Sequence, residues 1–203
     1  MGIKSEYSSR REQCLEPTAR RLENFLRDCL GDIERIDRIS VRAKSAERFF
    51  VKAIKKDDSG NPKYSDPLNQ IQDQIGARII CFYLHDVDAV SECISSYFNN
   101  IEHKLVQPDD QSKFGYVGRH FILHFPEDVI DPKNPPTPNF FELQIKTLFQ
   151  HAWSESEHDL SYKPFGEIAP EIQRKIAFTA AQAWGADLIF NELFQALSAA
   201  NDA

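Results

Sequence analysis

The 203-residue sequence contains no run of about 18 apolar residues, and its N-terminal MGIKSEYSSRREQ has no apolar stretch. A helical membrane span and a secretory signal are therefore excluded, and a cytoplasmic protein is expected. Glu6 stands where an N-myristoylation signal beginning at Gly2 needs Ser or Thr, which removes that anchor as well. Glycine is sparse, and nowhere is it grouped as GxxxxGK or GxGxxG, so the two common backbone cradles for phosphate are missing. If this chain holds phosphates, side chains must do it. Cys14, Cys29, Cys81 and Cys93 form no CxxC pair and lie in apolar or helical patterns, which suits packed, reduced thiols rather than a disulfide frame or a zinc site. No histidine precedes His85, so the dipeptides His85-Asp86 and His158-Asp159 lack the further ligands of a metal-dependent HD phosphohydrolase.

What is present is a globular composition, 41% hydrophobic and 27% charged, which predicts a single domain over residues 1–203. The net charge of −7 disfavours indiscriminate binding to nucleic acid or anionic lipid. Cations nevertheless crowd the first part of the chain, from Arg10 through Arg27 and Arg42 to Lys56, so a local anion site can exist inside an acidic protein.

Apolar residues recur at three and four from Glu16 to Leu30, an amphipathic helix stopped near Gly31, within a helical flank over 10–31. Alternation predicts a strand from Ile36 to Val41, and Ser45 caps a helix running to Lys56. ARIICFYL reads as a strand buried on both faces, followed by a helix over DVDAVSECISSYF. Strands follow near Ile101 to Val106, over YVGRHFILHF and over FFELQIKT, the last two separated by a proline-rich excursion on the surface. Helices close the chain, from Leu148 to about Leu160 and over 170–198. The fold class is α+β: one mixed β-sheet flanked by helices, with helical extensions at both ends.

Several stretches carry candidate chemistry. Arg42 and Lys44 leave a strand on one face, since a strand repeats every two residues, and Lys52 lies two helical turns further on. Three converging cations suit a triphosphate, although a solvated basic surface explains the same spacing. Asp73 lies just before a buried strand and Glu142 sits on another. Two carboxylates meeting at one point make a platform for Mg²⁺ in phosphate chemistry. Gln144 shares the face of Glu142. Tyr116, Gly118 and His120 offer an aromatic plane, a gap and a ring with donor and acceptor atoms, or simply a half-buried sheet tyrosine and a hydrogen-bonded histidine.

These stretches occur in one order: RxKS with a later Lys, DxxxxR before a strand, GYxxxH, ExQIKT, and AWxExEHxxxYK ending at Lys163. Their order and spacing from about Ile39 to Lys163 resemble the synthetase domain of the RelA/SpoT-homologue alarmone synthetases, especially the small single-domain members. The resemblance implies a nucleotidyltransferase-like fold with a core over about 36–163, and transfer of the pyrophosphate of ATP to the ribose 3′-hydroxyl of GDP or GTP, releasing AMP. It implies that Arg42, Lys44 and Lys52 hold the ATP phosphates, that Arg78 stacks on adenine, and that Asp73 and Glu142 bind Mg²⁺, with Glu142 also helping to activate the acceptor hydroxyl. Tyr116 would stack on the acceptor base, with His120, Lys113 and Gln144 near its sugar and phosphates and His151 and Glu157 along the base edge. Homo-oligomers, tetramers or dimers, are implied too, in keeping with the apolar surplus of the final helices. No hydrolase domain precedes the synthetase region, so a chain unable to degrade its product is expected.

Three departures from the family pattern stand out. Lys146 replaces the usual arginine of ExQIRT, Gly118 replaces a serine in GYxSxH and is followed by Arg119, and QPDDQSKF replaces the segment that commonly precedes GY. These changes keep a second enzyme open: a toxin-like synthetase using adenosine nucleotides or the tRNA 3′ end as acceptor. A non-catalytic nucleotide sensor is the third reading, and the joint presence of both carboxylates and the cations speaks against it.

Overall fold

The computed structural model describes residues 2–110, 112–162 and 168–201. In chain order the elements are α1 (Ile3–Arg10), a π-helical turn at Arg11–Leu15, α2 (Glu16–Cys29), β1 (Ile36–Ala43), α3 (Ala46–Ala53), α4 (Pro67–Gln70), β2 (Ile75–Cys81), α5 (Leu84–Tyr97), β3 (Asn100–Val106), β4 (Gly118–His124), β5 (Phe140–Thr147), α6 (Leu148–Tyr162) and α7 (Pro170–Asn201). The strands form one sheet in the order β1-β2-β5-β4-β3, antiparallel except where β2 runs parallel to β5. The expected mixed sheet with flanking helices is what forms.

Its core lies on one face. Phe121, Leu123, Phe141, Leu143 and Ile145 alternate inward from β4 and β5 and meet Leu22 and Leu26 of α2 and Val90 and Ile94 of α5. The opposite face carries the polar residues of the same strands. All four cysteines are free thiols, and burial, with Asp86 adding to it, pushes Cys81 up to about 12. Among the described residues no helix is long and apolar enough to cross a membrane.

Five boundaries differ from the expected ones. The N-terminal flank begins at Ile3 rather than near residue 10, because α1 buries only Tyr7 and so carries no amphipathic stripe. The strand expected over ARIICFYL ends at Cys81: the Tyr83 backbone N–H donates to the Asp86 carboxylate at 3.0 Å, and this cap starts α5. His85 is thus in the first turn of a helix, bonded to Asn191 and stacked on Phe194, where it clips α7 to α5. The helix after Ser45 ends at Ala53, short of Lys56, and β4 starts at Gly118, leaving Tyr116 in the segment before it. The final helix extends to Asn201, slightly beyond 198.

The proline-rich excursion is pinned to the N-terminal helices. Arg21 donates to the Val129 carbonyl at 2.7 Å, Arg10 to the Thr137 carbonyl at 2.8 Å and Asn134 to the Gln13 carbonyl at 3.2 Å. Arginines that read as a basic surface are internal cross-links.

On α7, Asp187 is 3% exposed, and its Oδ1 has no hydrogen-bond partner among the described residues. Burial pushes its carboxyl up to about 6, with Thr147 pulling partly back. A carboxyl whose folded pKa exceeds its unfolded value opposes folding once the unfolded state ionises, so stability falls as pH rises from about 4 to 6. Asp187→Asn is expected to stabilise the protein at pH 7 by roughly 2–3 kcal/mol and to have little effect below pH 4, as read from urea unfolding at both pH values.

Candidate active site

The polar face of the sheet is organised by register. Arg42 pairs with Gly76, and Gly76 with Glu142, so these three lie in one row across β1, β2 and β5. The next row is Ser40, Arg78, Gln144 and His120. Gly76 has nothing within 4 Å of where its Cβ would stand, so it forms an open floor between the flanking side chains. Above it lies a cavity of about 540 Å³ lined by Arg42, Lys44, Arg48, Asp73, Arg78, Glu142, Gln144, Glu155 and His158, among others. That volume suits a nucleotide-sized ligand.

At one end the cations converge on a carboxylate. β1 delivers Lys44, whose backbone N–H donates to the Gln74 carbonyl at 2.8 Å. The Ser45 side chain then caps α3 by accepting from the Arg48 N–H, and α3 brings Lys52 back. Asp73 sits in a short 3₁₀ turn immediately before β2, with Lys44 Nζ 2.6 Å from one oxygen and Lys52 Nζ 2.9 Å from the other. Burial alone would raise the Asp73 pKa; the two ammonium groups outweigh it and hold the carboxyl below its ordinary value.

At the other end a hydrogen-bonded chain ends on Glu142. Burial pushes the Tyr116 phenol up, keeping it protonated, so its O–H donates to His120 Nε2 at 2.7 Å. That bond assigns the His120 tautomer, and Nδ1–H donates to Glu142 Oε1 at 2.9 Å. Gln144 Nε2 donates to the same oxygen at 3.1 Å. Burial raises the Glu142 pKa, but these two donors bring it below the ordinary value, so the carboxyl is an anion at neutral pH.

Helix α6 carries the stripe His151, Ser154, Glu155 and His158, spaced at three and four, of which Glu155 and His158 line the cavity. Arg78 Nη1 donates to Glu155 at 2.7 Å and lies 3.4 Å from His151 Nδ1. Burial and then Arg78 hold His151 below its usual range. Lys146, on β5 two residues beyond Gln144, is 2% exposed. Burial, then Arg78, lower it to about 8.

The structure therefore brings Arg42, Lys44, Lys52, Asp73, Arg78, Glu142, Gln144, Tyr116, His120 and His151 into one connected site. Two expected members are placed elsewhere. Lys113 lies on the exposed loop after β3, 3.7 Å from Asp110. Glu157 falls on a different side of α6, near the stripe on which Trp153 donates to Thr179 of α7. Arg48 and Glu155 are the residues that sequence reasoning missed. Spacing of four from Lys44 and Lys52 marks the first, and spacing of four from His151 marks the second. Lys163, which ends the motif read from the sequence, lies outside the described residues.

The model of a family described as the region found in RelA/SpoT proteins matches residues 41–167. The chain is similar to the GTP pyrophosphokinase YjbM of Bacillus subtilis (strain 168), 26% identical over 148 residues, covering 70% of this chain. The match spans 64% of that relative's length. Among solved structures, a GTP pyrophosphokinase family protein from Streptococcus pneumoniae superposes with a TM-score of 0.76 at 22% identity, covering 98% of this chain and 97% of that one. The small alarmone synthetase 1 of Bacillus subtilis bound to its product pppGpp gives 0.71 at 20% identity, with coverage of 96% and 97%. At these identities the structural likeness establishes the fold.

The Asp73 cluster also predicts a pH dependence. A carboxyl held below its unfolded pKa contributes stability that is present above that value, near 4, and is lost as pH falls through the folded pKa. Asp73→Asn strands two ammonium groups against a neutral amide and is expected to cost roughly 2–3 kcal/mol at pH 7. The deficit relative to the parent chain should shrink steadily below pH 4 in urea unfolding; a deficit independent of pH would show that the Asp73 charge is not its source.

Proposed function

The chain belongs to the RelA/SpoT family, and from that membership we propose that it is a pyrophosphokinase of the small alarmone synthetase type. On this reading it moves the pyrophosphate of ATP to the ribose 3′-hydroxyl of GDP or GTP, with 36–163 as the catalytic core. The observation that carries the proposal is one cavity with two carboxylates, Asp73 and Glu142, flanked by phosphate-binding cations at one end and by the Tyr116–His120 pair at the other.

Pyrophosphoryl transfer asks little covalent participation of a protein; it needs alignment and cancellation of charge. Lys44, Lys52 and Arg42 supply the cancellation for ATP, Arg42 with a guanidinium able to fork onto two oxygens. Arg48 extends that cationic wall. Arg78, oriented by Glu155 and His151, offers a flat guanidinium to the adenine. Glu142, ionised and oriented by His120 and Gln144, takes the proton of the 3′-hydroxyl. The 3′-oxygen then bonds to the β-phosphorus, the bond from that phosphorus to the α–β bridging oxygen breaks, and AMP leaves. Tyr116 stacks on the acceptor base, with His120 and Gln144 toward its sugar and phosphates.

A divalent cation fits this donor set as a companion of the nucleotide. Asp73 and Glu142 would hold it together with phosphate oxygens, as Mg²⁺ is usually held, and it would neutralise charge on the transferred group. Among the described residues no three His, Cys, Asp or Glu side chains are grouped to cage a metal without the nucleotide. Lys44 and Lys52, now on Asp73, could turn to the phosphates, and the carboxylate would then be free to serve as a ligand.

The features that suggested a tRNA acceptor have other partners. Arg119 points to the opposite face from His120 and pairs with Asp88, and Arg10, Arg21 and Arg27 bond backbone carbonyls of the fold. Helix α7 exposes Phe178, Trp184, Ile189 and Leu193, an apolar surface that supports assembly into dimers or tetramers; light scattering after gel filtration is expected to give a mass of at least two chains.

The decisive assay follows label from the γ-phosphate of ATP, with Mg²⁺, onto GDP, GTP, ADP, ATP or deacylated tRNA offered separately. Label is expected on GDP or GTP, falling at least a hundredfold in Asp73→Ala and Glu142→Ala, about the loss seen when a key electrostatic group leaves a catalytic site. Label on adenosine nucleotides or tRNA alone would replace the proposed acceptor, and no transfer to any acceptor would reject the activity.

A further inference from the structure

Lys146 is the least conventional side chain at the site. It is 2% exposed, yet its hydrogen bond runs to a neutral partner, Ser154 Oγ, at 3.2 Å. No carboxylate forms an ion pair with it among the described residues. Its Nζ lies 4.4 Å from the centroid of the Tyr116 ring. A buried ammonium without a counter-ion is costly, and an aromatic face is one of the few uncharged surfaces that attracts it.

Gly118 completes the arrangement. It lies one step beyond the Arg119–Ile145 pair in the β4–β5 ladder, opposite Lys146. A Cβ at this position would stand 2.7 Å from the Tyr116 hydroxyl, 3.2 Å from its Cζ and 3.3 Å from Lys146 Cε. No real Cβ tolerates the first of these contacts, so Tyr116 and Lys146 meet in this way only because residue 118 has no side chain. The phenol is fixed a second time by its bond to His120 Nε2, while the His120 ring approaches edge-on at a centroid distance of 5.6 Å.

We propose that Lys146 is a positioning residue for the acceptor: with Gly118 making room, its cation holds the Tyr116 ring from one side and leaves the other side to the acceptor purine. This deepens the proposed function and rests on it. The ammonium draws π-density toward itself, and a ring so polarised stacks more strongly on an electron-rich base. Lys146 would act through Tyr116 alone, touching neither ATP nor the reacting oxygen. Its removal should therefore weaken acceptor binding without altering ATP binding.

The test is a double-mutant cycle on GDP affinity, measured by titration calorimetry and as the Michaelis constant in the transfer assay, using the parent chain, Lys146→Met, Tyr116→Leu and the double variant. Lys146→Met is expected to weaken GDP binding about five- to thirtyfold, the range of a desolvated cation–π contact, and to leave the Michaelis constant for ATP within twofold. Added to Tyr116→Leu, the same change should cost less than twofold. Lys146→Arg, which keeps a cation, should recover part of the loss. Gly118→Ala is the second variant: its Cβ crowds the phenol and presses on Lys146 Cε while residue 146 stays lysine, and it should weaken GDP but not ATP. Unchanged GDP affinity in Lys146→Met, or equal losses with and without the Tyr116 ring, would overturn the inference. If the parent chain transfers to no guanosine nucleotide, the proposed function fails and the inference falls with it; transfer by the parent chain with an unmoved Lys146→Met removes the inference alone.

Discussion

Backbone pairing of β2, antiparallel to β1 on one side and parallel to β5 on the other, sets Arg42, Gly76 and Glu142 in one row and Ser40, Arg78 and Gln144 in the next. Because side chains alternate along a strand, a slip of one residue in either pairing would turn a charged group into the core and an apolar residue toward the cavity. Ile79, next to Arg78, and Ile145, between Gln144 and Lys146, are fully buried and make such a slip prohibitive. The same apolar residues that drive the sheet to form thus aim the charges. Gly76 matters here by having no side chain: the central strand is low where the outer two are high, and the site is the resulting trough.

Within the trough, both carboxylates and several of the cations have local partners. Asp73 takes two lysines, Arg78 takes Glu155, and Glu142 takes a histidine and an amide. Partly buried charges demand this, since an unpaired ion away from water costs several kcal/mol. The pairings also hold the groups apart in two sets, cations with Asp73 at one end and neutral donors with Glu142 at the other. An acidic chain thereby gathers a local set of cations without an overall basic surface.

Much of this arrangement is written in local spacing, and that portion was legible. A repeat of two put Arg42 and Lys44, and Glu142 and Gln144, on common faces; a repeat of four returned Lys52 to Lys44. The β2 strand was recognisable because parallel central strands bury both faces. What escaped depends on partners distant in sequence or on signals too weak to read. The α1 helix shows one buried residue in eight, so periodicity is silent there. Tyr83 looked like the end of a strand because its cap is made by a carboxylate three residues on, in a run otherwise apolar. Glu155 and Glu157 look alike on paper, and only the direction of α6 across the sheet decides that the first meets Arg78. Arg119 neighbours His120 in sequence but lies on the other face, which strand alternation alone would have foretold.

The N-terminal helices belong to this site as much as the strands do. Tyr7 of α1 stacks on Phe49 of α3 with ring centroids 3.8 Å apart, and its hydroxyl donates to the Lys44 carbonyl at 2.9 Å. One buried side chain therefore fixes both ends of the turn between β1 and α3, where Lys44 leaves the strand and the helix carrying Lys52 begins. Full burial of that phenol is worthwhile only if its O–H finds an acceptor, and the acceptor it finds is the backbone carbonyl of Lys44, one of the two lysines on Asp73. Cross-links from Arg10 and Arg21 to the proline-rich excursion then lock the same helices to the segment leading into β5, the strand that carries Glu142. The two ends of the trough are thus tied through a single helical brace, and a chain lacking it would keep the sheet while losing the fixed distance between the Asp73 cluster and Glu142.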